Sequence, residues 1–265
     1  MELVRSEQVA SVLRILEEAG STNDILAQLA TAAREPHLST VVTLNQTGGR
    51  GRLGRVWTAP EGKALAASVL LRLEPGNVAS VPEQLGWLPL IAGAAMSASV
   101  DALVGGGRTG LKWPNDVLLD DLKVCGMLAE LLPTGEVVMG SGVNLTLEAD
   151  ELPVPSATSL SLAGVTGSAP ELADLVLSGY LTFVTELFDR FMEAEADAVA
   201  SGIHRIVSEW CRTIGTRVRV SLPGDVDLVG VAVGLAPDGR LLVRSEVDDV
   251  VTAVAAGDVT HLRYA

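Results

Sequence analysis

The 265-residue sequence is poor in cysteine and histidine, and each shortage excludes a class of site. Cys125 and Cys211 are its two cysteines, and their separation fits neither a disulfide framework nor a metal-binding motif. The three histidines, His37, His204 and His261, share no spacing that would indicate catalysis. We therefore expect no disulfide scaffold and no Cys/His metal centre, which fits a reducing cytoplasm.

The chain also lacks the features of exported and membrane proteins. Its N-terminus, MELVRSEQVASV, has no basic segment followed by an apolar one, so it does not resemble a secretory signal. The longest uncharged run, residues 85–100, is shorter than the ~20 apolar residues of a membrane span and contains a proline. The run predicts a buried helix, and we expect no membrane partner.

Basic residues are scarce, and this narrows the choice of partners. Asp and Glu number 33 against 19 Lys and Arg, giving a net charge of −14. Such a balance argues against nucleic acid or anionic membranes as general partners. Only three residues are lysine. Lys112 and Lys123 stand in motif-like surroundings and are candidates for chemistry, although either residue could also be a surface lysine on a strand.

One short segment reverses the overall charge. Residues 45–57, NQTGGRGRLGRVW, place three arginines among four glycines without an acid. An exposed glycine-rich backbone with guanidinium groups suits a polyphosphate or an acyl phosphate. A solvated hairpin tip is the structural alternative. We call residues 45–57 the arginine loop.

The glycines of the arginine loop formally match a dinucleotide fingerprint. Gly49, Gly51 and Gly54 have the G-x-G-x-x-G spacing, but the fingerprint requires a helix to begin at its last glycine. The following residues, RVWTAPEGK, are unfavourable for a helix start, and no G-K-[ST] sequence is present. We therefore exclude both a Rossmann fingerprint and a Walker loop.

Hydrophobic periodicity predicts an α+β protein with a β-rich C-terminal part. Strands are expected at 12–16, 40–44 and 64–73, and helices from Ser21 or Thr22 to Pro36 and over 83–104. Three antiparallel strands should follow, listed as 111–119, 122–132 and 137–147. A proline-rich loop, helical segments between 170 and 212, and short strands forming a small barrel or sandwich after Gly215 complete the prediction.

Six motifs in order resemble those of the biotin protein ligases. They are STN (21–23), QTGGRGRLGRVW (46–57), LKWPNDVLL (111–119), LKVCGMLAE (122–130), MGSGVN (139–144) and ATSL (157–160). The likeness covers residues 10 to 215, and the tail resembles the family's small SH3-like domain. It implies a catalytic domain, residues 1–214, with a mixed or antiparallel central sheet flanked by helices, like that of class II aminoacyl-tRNA synthetases. Residues 215–265 would form the second domain.

The resemblance also implies an activity. Members make biotinyl-5′-adenylate from biotin and ATP with Mg²⁺, then pass biotin to a lysine of the biotin carboxyl carrier domain of acyl-CoA carboxylases. Lys123 and Arg52 match the catalytic residues. Matches to the biotin site are Ser21, Thr22, Asn23, Gln46, Gly49, Arg50, Gly51, Arg52, Lys123, Gly126 and Gly140. Matches to the ATP site are Arg52, Arg55, Trp57, Lys112, Asn115 and Asn144, with Asp116 for Mg²⁺ or for orienting the loop.

Several of these residues have a plain structural explanation as well. Ser21 or Thr22 could act as a helix cap, Trp57 could belong to the core, and Asn115 and Asp116 are common turn formers after a proline. The departures from the family pattern, at Gly48, Leu53 and Cys125, remove no polar contact. The arginine loop is expected to be mobile without ligand, because it must order over the product to exclude water.

Alternative functions differ in class. A lipoate- or octanoate-protein ligase would share the fold and modify a carrier lysine, and a non-catalytic nucleotide- or biotin-binding module would lack turnover. An RNA-binding protein using the GRGR segment is disfavoured by the net charge. Only 20 residues precede the STN segment, so we expect a ligase without a DNA-binding repressor domain, either monomeric or homodimeric.

Overall fold

A seven-stranded mixed sheet forms the centre of the computed structural model, which describes residues 1–33, 35–73, 82–222, 226–255 and 258–261. Its strand order is β1-β2-β5-β9-β8-β7-β6, in which β1 and β2 are parallel and the other neighbours are antiparallel. The strands are β1 (Val12–Leu16), β2 (Ser39–Thr43), β5 (Ala64–Leu71), β6 (Thr109–Lys112), β7 (Asp116–Leu119), β8 (Leu122–Leu131) and β9 (Val137–Asn144). The short strands β3 (Gly49–Arg50) and β4 (Val56–Trp57) form a separate hairpin.

Helices cover both faces of this sheet. Side chains along each strand alternate between the two sides, and both sides carry apolar residues that pack against helices. Five helices are described, and they are α1 (Val4–Val9), α2 (Thr22–Ala32), α3 (Trp87–Val104), α4 (Ala169–Glu193) and α5 (Ile203–Trp210). Leu26 and Ala30 of α2 pack on one face, against Val41, Leu70 and Val138. The large core with α3 and α4 lies on the opposite face. The predicted α+β class with a mixed central sheet is confirmed.

The apolar run that raised the question of a membrane is the core helix α3. The segment Gln84–Val104 is long and apolar enough to span a bilayer, and 67% of its apolar stretch is buried inside the protein. It begins with a 3-10 turn, Pro82–Gly86, before the α-helix proper. The interpretation as a buried helix is confirmed.

One predicted strand is wrong. Residues 111–119, LKWPNDVLL, form two strands, β6 and β7, that pair antiparallel around a turn at residues 113–115 with a cis Trp113–Pro114 peptide. The physical reason is Pro114, which has no N–H group to donate to a strand ladder. The predicted turn at Asp120 and Asp121 is confirmed, and both residues have positive φ, of 50° and 62°, as a two-residue hairpin requires.

The described C-terminal strands form a five-stranded antiparallel sheet of order β13-β12-β11-β10-β14. They are β10 (Arg217–Leu222), β11 (Val226–Leu235), β12 (Leu241–Ser245), β13 (Val251–Val254) and β14 (Asp258–His261). Two buried indoles attach this sheet to the rest of the protein. Trp87 Nε1 donates to Pro237 O at 2.9 Å and Trp113 Nε1 donates to Gly239 O at 3.0 Å.

Candidate active site

A trough of small residues runs across the middle of the central sheet, on the face that carries α2. Ala66, Gly142, Gly126 and Asp116 lie in register on β5, β9, β8 and β7. The next row holds Ser68, Gly140 and Leu128. Because the glycines carry no side chain, the sheet surface is open at this point and a flat ligand can lie against the backbone.

Nine of the residues predicted to contact substrate line one cavity of ≈ 50 Å³ in this trough. They are Ser21, Thr22, Asn23, Gln46, Arg50, Gly51, Trp57, Gly126 and Gly140. Four further residues complete the wall, namely Met127, Leu128, Ser141 and Gly142. Residues from α2, the arginine loop and strands β8 and β9, which are distant in sequence, therefore meet at one place.

Trp57 lies over the glycine floor. A Cβ added at Gly142 would stand 2.6 Å from its ring, so the indole touches the sheet because glycine is there. Lys123 Nζ is 5.5 Å from the centroid of the same ring, which is a cation–π distance. Trp57 is thus a half-buried wall of the cavity, and its flat ring is available to stack on a planar group.

The N-terminus of α2 forms the polar end of the trough. Ser21 caps the helix, and its hydroxyl accepts from the Asp24 N–H at 3.3 Å. The Thr22 N–H donates to Gln46 Oε1 at 2.9 Å, which fixes the glutamine beside the helix. Ser21 therefore both caps α2 and lines the cavity.

Two residues of this end were missed by the sequence analysis. Ser68 Oγ lies 2.7 Å from Thr22 Oγ1 and 2.6 Å from Asn23 Oδ1, and Glu130 Oε1 accepts from Asn23 Nδ2 at 2.9 Å. A signal was present, since Ser68 interrupts the apolar strand ALAASVLL and Glu130 interrupts LKVCGMLAELL. The sequence analysis placed both residues in strands but did not predict which face of the sheet they occupy.

The arginine loop closes over the trough as the β3–β4 hairpin. Gly49 approaches its neighbours so closely that a Cβ there would stand 2.5 Å from Trp57 O. A 3-10 turn, Arg52–Gly54, forms the tip, and strand β4 follows it. A Rossmann fingerprint would require a helix after Gly54, and the structure has strand β4 there. This agrees with the exclusion of a dinucleotide fingerprint.

The arginines of this loop point to different partners. Arg50 donates two hydrogen bonds of 2.6 Å to Asp24 and one of 3.0 Å to Glu130. These bonds lower the pKa of the Asp24 carboxyl below its usual value. The Arg52 guanidinium is half-buried and donates to Asn115 Oδ1 at 3.1 Å. Burial lowers the pKa of Arg52 below its usual value because desolvation disfavours the charged form, and an anion bound beside it would offset part of that loss.

Asn115 connects the arginine loop to β8. Its side-chain Nδ2 donates to Met127 O at 2.6 Å, and its backbone carbonyl accepts from the Met127 N–H at 2.8 Å. Together with Arg52 it also lines a second cavity, of ≈ 590 Å³, beside the C-terminal sheet. Asn144 lies further along the sheet, where its amide donates to Thr158 O at 2.9 Å. The structure thus brings Asn115, but not the Asn144 amide, into the cavities.

Positive charge gathers at the end of the trough opposite α2. Lys123 Nζ lies 2.7 Å from Asp116 Oδ1 and directly above Gly126. Lys112 is near enough that Asp116 and Lys123 both influence its pKa, and burial lowers that pKa below its usual value. The charge of Arg55 acts on both Lys112 and Arg52. This arrangement of four cations around one carboxylate is suited to a polyanion.

The lowered pKa of Lys112 gives a stability prediction. At pH 7 the ammonium is protonated in both the folded and unfolded chains, so its burial disfavours folding. The cost declines as the pH rises through the lowered pKa of the folded state. We expect Lys112→Met to raise the Tm at pH 7 by about 2–4 °C, the effect of about 1 kcal/mol in a chain of this size, while lowering activity.

Thermal unfolding at pH 7 and pH 10 checks this prediction. The gain in Tm should shrink at the higher pH. The control is Lys63→Met, because Lys63 forms a 2.9 Å ion pair with Glu151 away from the trough. A lower Tm for Lys112→Met at pH 7 would show that the burial of this charge is fully compensated.

Comparison with known proteins identifies the family of the chain. Residues 17–144 match the model of the biotin/lipoate A/B protein ligase family, and residues 213–262 match the biotin protein ligase C-terminal domain. The chain is 39% identical to the biotin–[acetyl-CoA-carboxylase] ligase of Mycobacterium tuberculosis, over 95% of this chain and 89% of that protein. It is 30% identical to the bifunctional ligase/repressor BirA of Escherichia coli, over 81% of this chain and 64% of that protein.

Solved structures give the same result. The biotin protein ligase of Aquifex aeolicus in complex with biotin and ATP superimposes with a TM-score of 0.75 at 28% identity, over 96% of this chain and 100% of that one. The architecture of a mixed sheet with a C-terminal β domain is that of a ligase fold. The chain belongs to the biotin protein ligase family, which confirms the resemblance found in its motifs.

Proposed function

We propose that the protein activates biotin with ATP as biotinyl-5′-adenylate and then transfers the biotin to a lysine of a biotin carboxyl carrier domain of an acyl-CoA carboxylase. The observation that carries this proposal is the trough itself. It has hydrogen-bonding groups of α2 at one end, glycine-lined walls in the middle and Lys123 at the other end. Biotin has the matching shape, since it is an apolar bicycle with a urea group at one end and a carboxylate tail at the other.

In the first step, a carboxylate oxygen of biotin attacks the α-phosphorus of ATP. The bond between that phosphorus and the oxygen bridging to the β-phosphate breaks, and pyrophosphate leaves. Two anions must approach each other, so positioning and positive charge supply most of the catalysis. We assign this role to Lys123 and Arg52, with Lys112 and Arg55 on the outer phosphates and Trp57 on the adenine.

In the second step, the amine of the acceptor lysine attacks the carbonyl carbon of the mixed anhydride. An amide forms, the bond to the phosphate oxygen breaks, and AMP leaves while the amine loses a proton to solvent. Water would compete for the same carbon, so a loop that covers the intermediate protects it. The arginine loop is placed to do this, and its mobility without ligand remains a prediction.

A magnesium ion would enter with ATP. The described part of the chain contains no group of three or more His, Cys, Asp or Glu side chains suited to a metal. Mg²⁺ bound to substrate phosphates needs only one or two carboxylates from the protein. Asp116 lies beside Lys123 in the site and would supply such a carboxylate. The ion, when bound, would neutralise part of the phosphate charge.

The setting of the reaction is also part of the proposal. We place the protein in the cytoplasm, as a monomer or homodimer that does not bind DNA. The net charge of −14 supports the absence of DNA binding, and the two free, buried cysteines fit a reducing compartment. The acceptor would be a carrier domain, as the name of the mycobacterial relative indicates for that protein.

The boundary between two domains at residues 214 and 215 is likewise proposed. It is supported by the composition change there and by the separate C-terminal sheet. However, Val218 and Val220 are fully buried in the same core as α3. We therefore expect a chain ending at residue 214 to lose more than about 10 °C in Tm or to aggregate, because the buried Trp87 and Trp113 become exposed. Scanning calorimetry of the truncated and full chains checks this, and an unchanged Tm would contradict it.

ATP–pyrophosphate exchange tests the proposed function. The purified full chain is assayed with biotin, lipoate, octanoate or no acid. Exchange with biotin alone, followed by labelling of an added carrier domain, is the expected result. Exchange with lipoate or octanoate would assign the protein to the related ligases, and binding of biotin without exchange would indicate a non-catalytic module.

A further inference from the structure

A chain of three buried side chains, ending at the half-buried Glu130, connects the polar end of the trough to the arginine loop. Thr22, Ser68, Asn23 and Glu130 follow one another at hydrogen-bonding distances of 2.7, 2.6 and 2.9 Å. Ser68 is fully buried, and Thr22 and Asn23 are 3% and 5% exposed. Because these three side chains have so little access to water, their hydroxyl and amide protons must be donated to acceptors within the protein.

The direction of every hydrogen bond in this chain follows from its charged end. An ionised Glu130 can only accept, so the Asn23 side chain turns its NH₂ toward Glu130, at 2.9 Å, and the same NH₂ group makes a longer contact of 3.4 Å with Leu128 O. The Asn23 oxygen therefore faces Ser68 and needs a donor. A serine hydroxyl has one proton, and Ser68 must give it to Asn23.

Thr22 is the next group along. Its Oγ1 lies 2.7 Å from a Ser68 oxygen whose proton is already used, so Thr22 donates its own proton to Ser68. The alternative acceptor, Gln46 Oε1, is more distant at 3.2 Å and already accepts from the Thr22 N–H. With either acceptor the Thr22 proton is used inside the protein. Toward the cavity the hydroxyl can therefore offer only lone pairs.

We propose that Glu130 is a positioning residue that sets the direction of hydrogen bonding at the polar end of the trough, so that Thr22 accepts from an N–H group of the ligand. The inference rests on the proposed function, in which that ligand group is the urea of biotin. Lipoate and octanoate have no N–H group to offer, so the same device favours a ureido acid over those acids.

Glu130 also ties this end of the site to the arginine loop. Its Oε1, which accepts from Asn23, accepts from Arg50 Nη2 at 3.0 Å. Arg50 is held at the same time by two bonds to Asp24, in the first turn of α2. The base of the loop and the ureido end thus share one carboxylate, which stabilises both in the arrangement that accepts a ligand.

Serine-to-alanine variants test the inference with a matched pair. Ser68→Ala breaks the chain in its middle, whereas Ser97→Ala removes an equally buried serine hydroxyl of α3, which donates to Gly93 O at 2.8 Å on the opposite side of the sheet. For Ser68→Ala and Glu130→Ala we expect the KM for biotin in ATP–pyrophosphate exchange to rise about tenfold or more, as loss of a hydrogen bond to a buried or charged group does. The kcat and the KM for ATP should stay within about twofold, as should all constants of Ser97→Ala.

Glu130→Gln supplies the conservative variant. Its amide oxygen can still accept from Asn23, so its KM for biotin should lie close to that of the unmodified protein. This comparison keeps the test usable if Glu130→Ala does not fold. Unchanged biotin KM in Ser68→Ala, or equal increases in the KM for biotin and for ATP, would overturn the inference while leaving the ligase activity in place. Failure of the unmodified protein to exchange with biotin would instead remove the proposed function itself.

Discussion

Lys123→Met is expected to lower biotin-dependent ATP–pyrophosphate exchange by roughly 10²–10³-fold, the usual cost of removing one positioned group that stabilises charge in a transition state. Lys123 stands at the end of the trough where the carboxylate of the acid would meet the α-phosphate. Its ammonium is held 2.7 Å from Asp116 and above Gly126. Methionine keeps the length of the side chain and removes the charge.

The backbone of Lys123 explains why this ammonium is well placed. The residue pairs on one side with Leu118 of β7. On the other side its N–H donates to Ser156 O at 2.8 Å and its carbonyl accepts from the Thr158 N–H at 2.9 Å. A backbone held on one side by β7 and on the other by the loop at residues 156–158 keeps the start of the side chain in place, which lowers the entropy lost when the ammonium stabilises a transition state.

The measurement is the exchange rate at saturating biotin and ATP, with Lys63→Met as the control because the Lys63 ammonium pairs with Glu151 and lines neither of the two cavities described above. Lys63→Met should retain full activity within about twofold. Lys123→Arg should restore only part of the activity, since a planar guanidinium does not replace a compact ammonium. Full activity of Lys123→Met would show that Arg52 and Lys112 supply the positive charge without it.

Gly140→Ala is expected to weaken biotin binding by roughly 10–100-fold, which corresponds to the about 1–3 kcal/mol of overpacking in a filled site. A methyl group at Gly140 would overlap the carboxamide of Asn23. That carboxamide cannot turn away, because Ser68 and Glu130 hold its two ends. The N-terminus of α2 must therefore shift away from the sheet, and the hydrogen-bonding groups of the trough shift with it.

Calorimetric titration with biotin measures this effect. Gly234→Ala is the matched control, because a Cβ at that position meets no atom within 4 Å. Its biotin affinity should equal that of the unmodified protein. Unchanged affinity in Gly140→Ala would mean that Asn23 is free to move, which would also contradict the hydrogen-bond chain from Thr22 to Glu130.

Much of the catalytic centre was accessible to sequence analysis because its groups occur in short contiguous motifs. The motifs alone indicated the arginine loop, the STN segment and Lys123 as parts of the candidate site. The structure then places Arg50 against Asp24 and Glu130 and leaves Arg52 beside Asn115. Which arginine faces inward depends on the path of the hairpin, and no local pattern shows that path.

The error at residues 111–119 and the missed helix α1 have a related cause. Leu111 and residues 117–119 have strand composition, and the turn formers Asn115 and Asp116 between them were included in one strand although their residue types also indicate a turn. Helix α1 has six residues, too few to be stable alone, and Asp174 of α4 accepts from the N–H groups of Arg5 and Ser6 at its start. That stabilising carboxylate is about 170 positions away in the chain, so only folding brings it there.

Residue identity and spacing over a few residues were enough to indicate the family, the α+β class, the candidate catalytic lysine and the glycines that make room for a ligand. Only the folded chain shows which faces those residues occupy. Strand register placed Gly126 beside Gly142 and Ser68 beside Gly140, and it brought Glu130 to Asn23. Register is set by packing across strands that are far apart in the chain, and a shift of one residue would turn each of these groups to the opposite face.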